Sequence, residues 1–479
     1  MNLRSKTYSG IRWTTVSSLI RACLQLLQIA ILARLLDSAD FGLMALVVAI
    51  VAFLQIFADM GVSSAIIHHQ EINHRQLSSL YWLNVGSALG LAILLVLASS
   101  LIANFYGDAR LTTLVWISGA TLVVAALGQQ IRIIAEKNLQ FSGLARAEVF
   151  AALVALVVAV AIAVWGGGVY ALVGGALANA IILTMLLWIF FAHGWRPLWC
   201  FSPREIRHFL GFGAYMIGNN LANTFNSQVD ILLGGRVLGA QAIGLYSLPR
   251  DLCLRLSAVF NPIAMRVGMP VMAKAQNDIA SLRNIYLKTI RMTASINFPF
   301  YLALAVFAPE VVHILFDAKW DEAIPLMRVF ALWGLLRATG NPVGILLMAR
   351  GRADLSFKWN LWMLFIYPPI IWVGSQFGVV GMALSMLLAG VALFPANWYW
   401  LIRPLSGAKF GEYFVQVFIP LTVSAISGLV GYVGAYPFST DMMRLGVGVI
   451  AGGVTYMLLS VEFNKVWFDT VRELAVGWK

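Results

Sequence analysis

Charge is scarce in this chain. Only 11% of its 479 residues are Asp, Glu, Lys or Arg, and the acidic ones number 21. A water-soluble domain carries roughly 25% charged residues, so a soluble enzyme is excluded. The net charge of +12 would point to nucleic acid in a soluble chain; in a membrane chain it is basic residues held in cytoplasmic loops, and no nucleic-acid partner is expected. Cysteine is scarcer still. Cys23, Cys200 and Cys253 fall on apolar segments or beside a basic loop, which leaves no disulfide framework and no cysteine-based metal site. Histidine is almost as rare, and His68, His69 and His74 around Glu71 match no zinc spacing, so they read as a solvated loop. The glycine run Gly166–Gly168 has no strand, lysine or helix context and is not a phosphate loop. No Ser/His/Asp or Cys/His constellation falls in one loop, so no catalytic residues, metal or bound cofactor are expected.

What is abundant is apolar sequence: 60% of residues are hydrophobic and the mean hydropathy is +0.83. At ~20 apolar residues per span, the chain holds more than a dozen. Breaks at Gly, Pro and charge predict fourteen segments, at about 11–33, 41–66, 79–103, 111–131, 148–165, 168–192, 209–233, 241–264, 290–308, 324–347, 359–374, 378–401, 414–435 and 445–461. The fold class is all-α integral membrane. Segment 1 follows a basic stretch, is long, contains Arg21 and has no small-residue cleavage site after it, so it reads as a retained span.

The basic residues set the orientation. With the N-terminus inside, Arg34, Arg110, Arg236, Lys319, Arg328 and Arg444 fall outside and Arg21, Arg250, Arg255 and Arg337 fall within spans. All the other Lys and Arg lie inside. Both termini are therefore expected in the cytoplasm. The longest outside region is Pro309–Glu322. The inside connection Arg266–Lys288 has Ile279, Leu282, Ile285 and Tyr286 at helical spacing, and the tail has Trp467, Val471, Leu474 and Trp478. Both are expected to anchor on the membrane surface. Ser202, Pro203 and Glu205 read as a helix start before segment 7.

The chain repeats itself. ARLLDSADFGL (Ala33–Leu43) matches GRVLGAQAIGL (Gly235–Leu245): Arg34, Leu36, Gly42 and Leu43 recur as Arg236, Leu238, Gly244 and Leu245. The offset of 202 spans six segments, an even number, so the halves are parallel repeats, a transporter arrangement with the substrate site between them. The expected organisation is an N-lobe over 1–192, a cytoplasmic linker over 193–208, a C-lobe over 209–402, and two further helices with an amphipathic tail over 403–479. This is two parallel six-helix lobes around a central cavity plus two C-terminal helices.

Ionisable residues inside a bilayer cost several kcal/mol and face a cavity or a partner. They concentrate on segment 1 (Arg21), segment 2 (Asp59), segment 7 (Asp230), segment 8 (Arg250, Asp251, Arg255) and segment 10 (Arg337), with Glu148 at the start of segment 5. Thr14, Ser18, Arg21, Gln25 and Gln28 draw one polar stripe along segment 1. Asn219, Asn223, Asn226 and Asp230 draw another along segment 7. At 1.5 Å per residue, Arg21, Arg250 and Arg337 lie roughly 14–20 Å from their segment starts, beyond easy snorkelling. Asp230 is near its outer end, where snorkelling or helix pairing competes with a functional role, and Asp59 is intermediate. Arginine forks suit phosphate, so an anionic substrate is expected. Asp59 and Asp230 are candidates for pairing with Arg21 or for titration by a coupling ion.

At these residues the chain resembles the polysaccharide transporter branch of the multidrug/oligosaccharidyl-lipid/polysaccharide flippase superfamily. The resemblance lies in ILARLLDSADFGL, ADMGVSSAII, VDILLGGRVLGAQAIGLYSL, SSLYWLNVG (Ser78–Gly86) and LLRATGNPVGILLMARGRADLSFKWN (Leu335–Asn360), and it covers nearly the whole chain. It implies a flippase moving undecaprenyl-diphosphate-linked oligosaccharide units, with colanic acid or a related exopolysaccharide or lipopolysaccharide as the glycan. It also implies alternating access in the bacterial inner membrane, a proton or sodium gradient as the coupling source, and polymerase and chain-length machinery as partners. In that reading Arg21, Arg250, Arg255 and Arg337 attract the diphosphate or an acidic sugar. Gln25, Gln28, Asn219, Asn223 and Asn226 bond sugar hydroxyls, and Asp59 or Asp230 couples to a cation. Two other classes compete: a cation-coupled small-molecule antiporter of the same fold, and a membrane polymerase or glycosyltransferase, which would need a larger soluble loop than any here.

Overall fold

The computed structural model describes residues 3–59, 66, 72–192 and 195–476. They form an all-α protein; among the described residues there is no strand. The chain divides into two compact units, Met1–Gly244 and Leu245–Lys479. The first unit holds α1 (Leu3–Leu35), α2 (Ser38–Asp59), α3 (His74–Tyr106), α4 (Arg110–Lys137), α5 (Phe141–Val164), α6 (Tyr170–Phe191) and the first part of α7 (Pro203–Lys274). The second holds the rest of α7, then α8 (Ile279–Val306), α9 (Ala308–Phe316), α10 (Ala323–Ala349), α11 (Ala353–Ser375), α12 (Gly378–Asn397), α13 (Phe410–Ala435), α14 (Asp441–Phe463) and α15 (Lys465–Val476).

Eleven helical stretches among the described residues are long and apolar enough to cross a membrane. The number is twelve if α8 and α9, bent by 78°, make one span. This is a multi-pass membrane protein, and the count falls short of the fourteen crossings expected. Two features account for the difference. Segments 7 and 8 run together in α7, whose qualifying stretch is Asn220–Ser257. Segment 11 lies within α11, a helix that carries Asp354, Lys358, Asn360, two prolines and three tryptophans and is not among the eleven. Inside α7, Gly239 leaves helical geometry at φ 83°, ψ 173°, a conformation that glycine adopts without a Cβ penalty. Under the 202 offset Gly239 corresponds to Asp37, in the break between α1 and α2, so the repeat keeps its turn at the same register.

Small residues hold the first unit together. Ala147, Ala151, Ala155, Ala159 and Ala163 recur every four residues along α5 and are all buried, a stripe that lets neighbouring backbones come close. α1 packs on α5, α5 on α6, α4 on α6 and α3 on α4. The repeat is also a contact. A Cβ built on Gly42 would meet the carbonyl of Ala240 and lie 2.9 Å from the Gly244 nitrogen. One built on Gly244 would meet the carbonyl of Ser38 and lie 3.1 Å from the Gly42 nitrogen. Ser38 and Ala240 are themselves 202 apart, so the contact is reciprocal.

Segment 203–274 begins at Pro203, as the helix-start reading expects. The expectation for 266–288 needs correction. α8 starts at Ile279, where the Asp278 side chain accepts from the nitrogens of Ala280 (3.0 Å) and Ser281 (3.2 Å). Leu282 and Tyr286 are fully buried in the second unit and Ile285 is half-buried, so this face is core and not a surface anchor, while Ile279 at the helix start is exposed. Of the four tail residues only Trp467 has a described side chain, and it packs against Tyr456 at 5.5 Å and Val423; those of Val471, Leu474 and Trp478 lie outside the described residues. Pro309–Glu322 is no open loop either, since α9 and a short 3-10 turn at Ala318–Trp320 fill it, with Glu310 and Trp320 buried. His68, His69 and Glu71 lie outside the described residues; His74 opens α3.

Candidate functional site

The polar stripe of α1 is largely uncovered: Ser18 and Gln25 are exposed, while Thr14, Arg21 and Gln28 are half-buried. Its charged member is not alone. Arg21 forms an ion pair with Glu148 of α5 at 3.1 Å and donates to the Ser18 hydroxyl at 3.4 Å. Glu148 also receives Arg132 of α4 at 2.8 Å, and Arg132 reaches Glu136 one turn further at 3.1 Å. Three helices therefore meet at one charge quartet. Lower on α1, Gln28 sits by Gly175 of α6, where a Cβ would stand 3.5 Å from its Nε2.

On α7 the stripe of the first unit runs from an exposed Asn223 through a half-buried Asn226 to Asp230, which is 1% exposed. The Asp230 carboxylate accepts from the Ile231 nitrogen at 2.9 Å. Burial of this depth leaves no snorkelling path to water. The side chains of Asp59 and Asn219 lie outside the described residues, although Asp59 closes α2.

In the second unit the register of α7 against α10 is set by Tyr246, whose ring meets Phe330 edge-on at 4.7 Å. One turn past Tyr246 stands Arg250, 5% exposed and paired with Asp251 at 3.3 Å. One and two turns past Phe330 stand Trp333 and Arg337, with the exposed Arg337 guanidinium 5.2 Å over the Trp333 ring. Arg255 is half-buried further along α7. Between them Tyr301 of α8 locks α7 in place: its hydroxyl donates to the Cys253 carbonyl at 2.9 Å and accepts from Ser257 at 2.5 Å. Each unit thus presents intramembrane guanidinium groups positioned by packed aromatic or carboxylate neighbours. Such groups can bind anions and hydroxyl-rich ligands; among the described residues none form a cluster able to hold a metal.

Two more clamps sit near helix ends. Arg110 holds Asp108 at 2.8 Å and reaches Asp40 at 3.4 Å. Its hydrogen bond is the main reason the Asp108 carboxyl titrates below the ordinary carboxylate value. In the second unit Arg444 of α14 pairs with the buried Glu310 of α9 at 3.1 Å.

The quartet contains three residues that sequence reasoning did not place in a site. Arg132 falls among the inside basic residues, Glu136 is not singled out, and Glu148 stands as the first residue of a segment. Their spacing held the signal: Arg132 and Glu136 are i, i+4, and Glu148 lies on the alanine-rich stripe's helix, two turns past its start.

Residues 31–325 match the family described as polysaccharide biosynthesis protein. Similar curated proteins include the lipopolysaccharide biosynthesis protein WzxC of Escherichia coli (strain K12), 33% identical over 433 residues, 90% of this chain and 88% of that one. The teichuronic acid biosynthesis protein TuaB of Bacillus subtilis (strain 168) is 29% identical, with 96% of each chain covered. Among solved structures, the lipid II flippase MurJ in an inward closed conformation superposes with a TM-score of 0.75 at 13% identity, over 94% of this chain and 99% of that one. An inward-facing multidrug resistance MATE family transporter of the MOP superfamily gives 0.65 at 12% identity, over 82% and 98%. At these identities the likeness is one of fold.

Proposed function

From the premise that the chain belongs to the polysaccharide biosynthesis protein family, we propose how it works. It is a membrane-embedded flippase for lipid-linked oligosaccharides, a transporter and not an enzyme. The observation that carries the mechanism is the set of guanidinium groups kept inside apolar spans, Arg21 and Arg250 above all. A charge in that place is costly unless a ligand or partner uses it. The diphosphate joining lipid to sugar is such a ligand, because a planar fork bonds two of its oxygens at once. Arg255 and Arg337 extend the cationic surface, and Gln25, Gln28, Asn219, Asn223 and Asn226 bond the sugar hydroxyls. Binding sites that open to one side and then the other carry the headgroup across.

Membership of this family favours the bacterial inner membrane, and the basic residues favour both termini in the cytoplasm. Asp59 and Asp230 are the carboxylates through which a proton or sodium gradient would couple, and the delivered unit passes to a polymerase with its chain-length machinery. The test is Arg21→Ala and Arg250→Ala, each expressed in a strain lacking the native gene. Both should insert normally and abolish polymer export. Wild-type polymer output from both variants would contradict the assignment.

A further inference from the structure

Glu148 is held by arginines from two other helices, Arg21 of α1 at 3.1 Å and Arg132 of α4 at 2.8 Å. Its side chain is 11% exposed, whereas Arg21 and Arg132 keep 32% and 38%. With Glu136 on Arg132, two positive and two negative charges close the quartet at neutrality. No other ionisable group of α6, the remaining helix packed on α5, stands against it: the helix has none but Tyr170, at its first residue. On α5 itself the Arg146 guanidinium turns back to the Ser142 carbonyl. The Arg21 Nε is buried and has no acceptor among the described residues.

A carboxylate seated between two guanidinium forks takes the place that a phosphate group would take, since both present paired anionic oxygens to N–H donors. We propose that Glu148 is a built-in stand-in for the substrate's phosphate: a diphosphate that binds Arg21 and Arg132 displaces it, and the freed carboxylate takes up one proton. The inference rests on the flippase reading above and names a residue pair, Arg132 and Glu148, that charge counting assigns elsewhere. The logic is electrostatic. Stripped of its arginines, a nearly buried carboxylate is an unpaired charge, and protonation from solution removes that charge. When the phosphate leaves, the arginines recapture Glu148 and the proton returns to solution.

Selectivity follows. A phosphodiester headgroup has a single negative charge and competes poorly with a carboxylate already in place. A diphosphate brings adjacent anionic groups that span both guanidinium groups. Glu148 therefore closes the seat to abundant lipid headgroups and opens it to the diphosphate, and the open edges of Arg21 and Arg132 give the incoming anion its first contact.

The test uses the purified full-length protein in nanodiscs, with inorganic pyrophosphate as the probe. Calorimetry in two buffers of different ionisation enthalpy counts protons bound per ligand. Near neutral pH wild type should take up about one proton more per pyrophosphate than Glu148→Gln, because the probe's own ionisation is common to both. Glu148→Gln, which cannot compete as an anion, should bind at least roughly tenfold tighter above neutral pH. Glu148→Asp should retain the uptake, which separates loss of the carboxylate from damage to the fold. Arg132→Ala should weaken binding by roughly tenfold or more. Unchanged affinity or unchanged proton uptake in Glu148→Gln would overturn the proposal, as would a wild-type protein that does not bind pyrophosphate. Glycan export in cells judges the flippase reading separately: intact export beside an absent proton linkage sinks this inference alone.

Discussion

The reciprocal glycine contact offers a prediction whose size follows from geometry. A methyl group on Gly42 would lie 2.6 Å from the Ala240 carbonyl carbon and 2.9 Å from the Gly244 nitrogen. Non-bonded carbons prefer about 3.5–4.0 Å, so the backbones at Ala240 and Gly42 must part by roughly an ångström. No side chain can swing aside to relieve this, because the three nearest opposing atoms are all main chain. Overpacking of this kind costs about 1–3 kcal/mol, and the absence of a yielding group puts Gly42→Ala at about 3. Gly244→Ala meets Ser38 in the same way and should cost a similar amount. The double variant should cost less than the two together, because one separation relieves both clashes. Gly90→Ala is the comparison: it lies on α3 with nothing within 4 Å of a new Cβ, and Ala in a helix interior gains about 0.5–1 kcal/mol over Gly. Thermal unfolding of the purified variants should therefore move in opposite directions, down for Gly42→Ala and slightly up for Gly90→Ala. Equal unfolding temperatures for the two would refute the backbone contact.

Two other substitutions or conditions probe different parts of the molecule. Asn464 is fully buried, accepts from Arg291 at 2.8 Å and donates to the Ser295 hydroxyl at 2.7 Å; Asn464→Ala should cost about 2 kcal/mol and raise proteolysis of α15 roughly thirtyfold, and an unchanged cleavage rate would contradict this. The Asp108 carboxyl is held below its ordinary value of 3.8, first by its hydrogen bond from Arg110. A depressed value means that its contribution is complete above the unfolded value and disappears as pH falls through the folded one, so local opening of the 107–110 turn should stay flat between about pH 5 and 8. Hydrogen exchange measures it, and a change within that range would contradict the clamp.

The helices and the repeat were legible because both are properties of single segments. Apolar length marks a span whatever it packs against, and the 202 offset between Gly42 and Gly244 needs only the letters. The same offset explains why α7 turns at Gly239 where α1 and α2 break. What could not be read was which element each stripe meets. Leu282, Tyr286 and Ile290 share a face with a period of four, and that pattern is the same for a helix lying on lipid and for one buried in a core. Glu148 was placed at a segment edge because Arg146 and Glu148 lower the local hydropathy, although the helix begins at Phe141. Arg21 declared itself by depth alone, whereas its partnership with Glu148 and Arg132 depends on three helices converging. Asp230 is buried for a similar reason: its position near a helix end says nothing of the neighbours that cover it.

The central claim is that the protein moves a lipid-linked glycan. The most direct measurement deletes the gene and follows polyprenyl-diphosphate-linked oligosaccharides by mass spectrometry, together with the membrane face on which they lie. A repeat unit should accumulate on the cytoplasmic face and disappear when the protein is restored. A deletion strain in which no such unit accumulates, with its surface polymer unchanged, would contradict the claim.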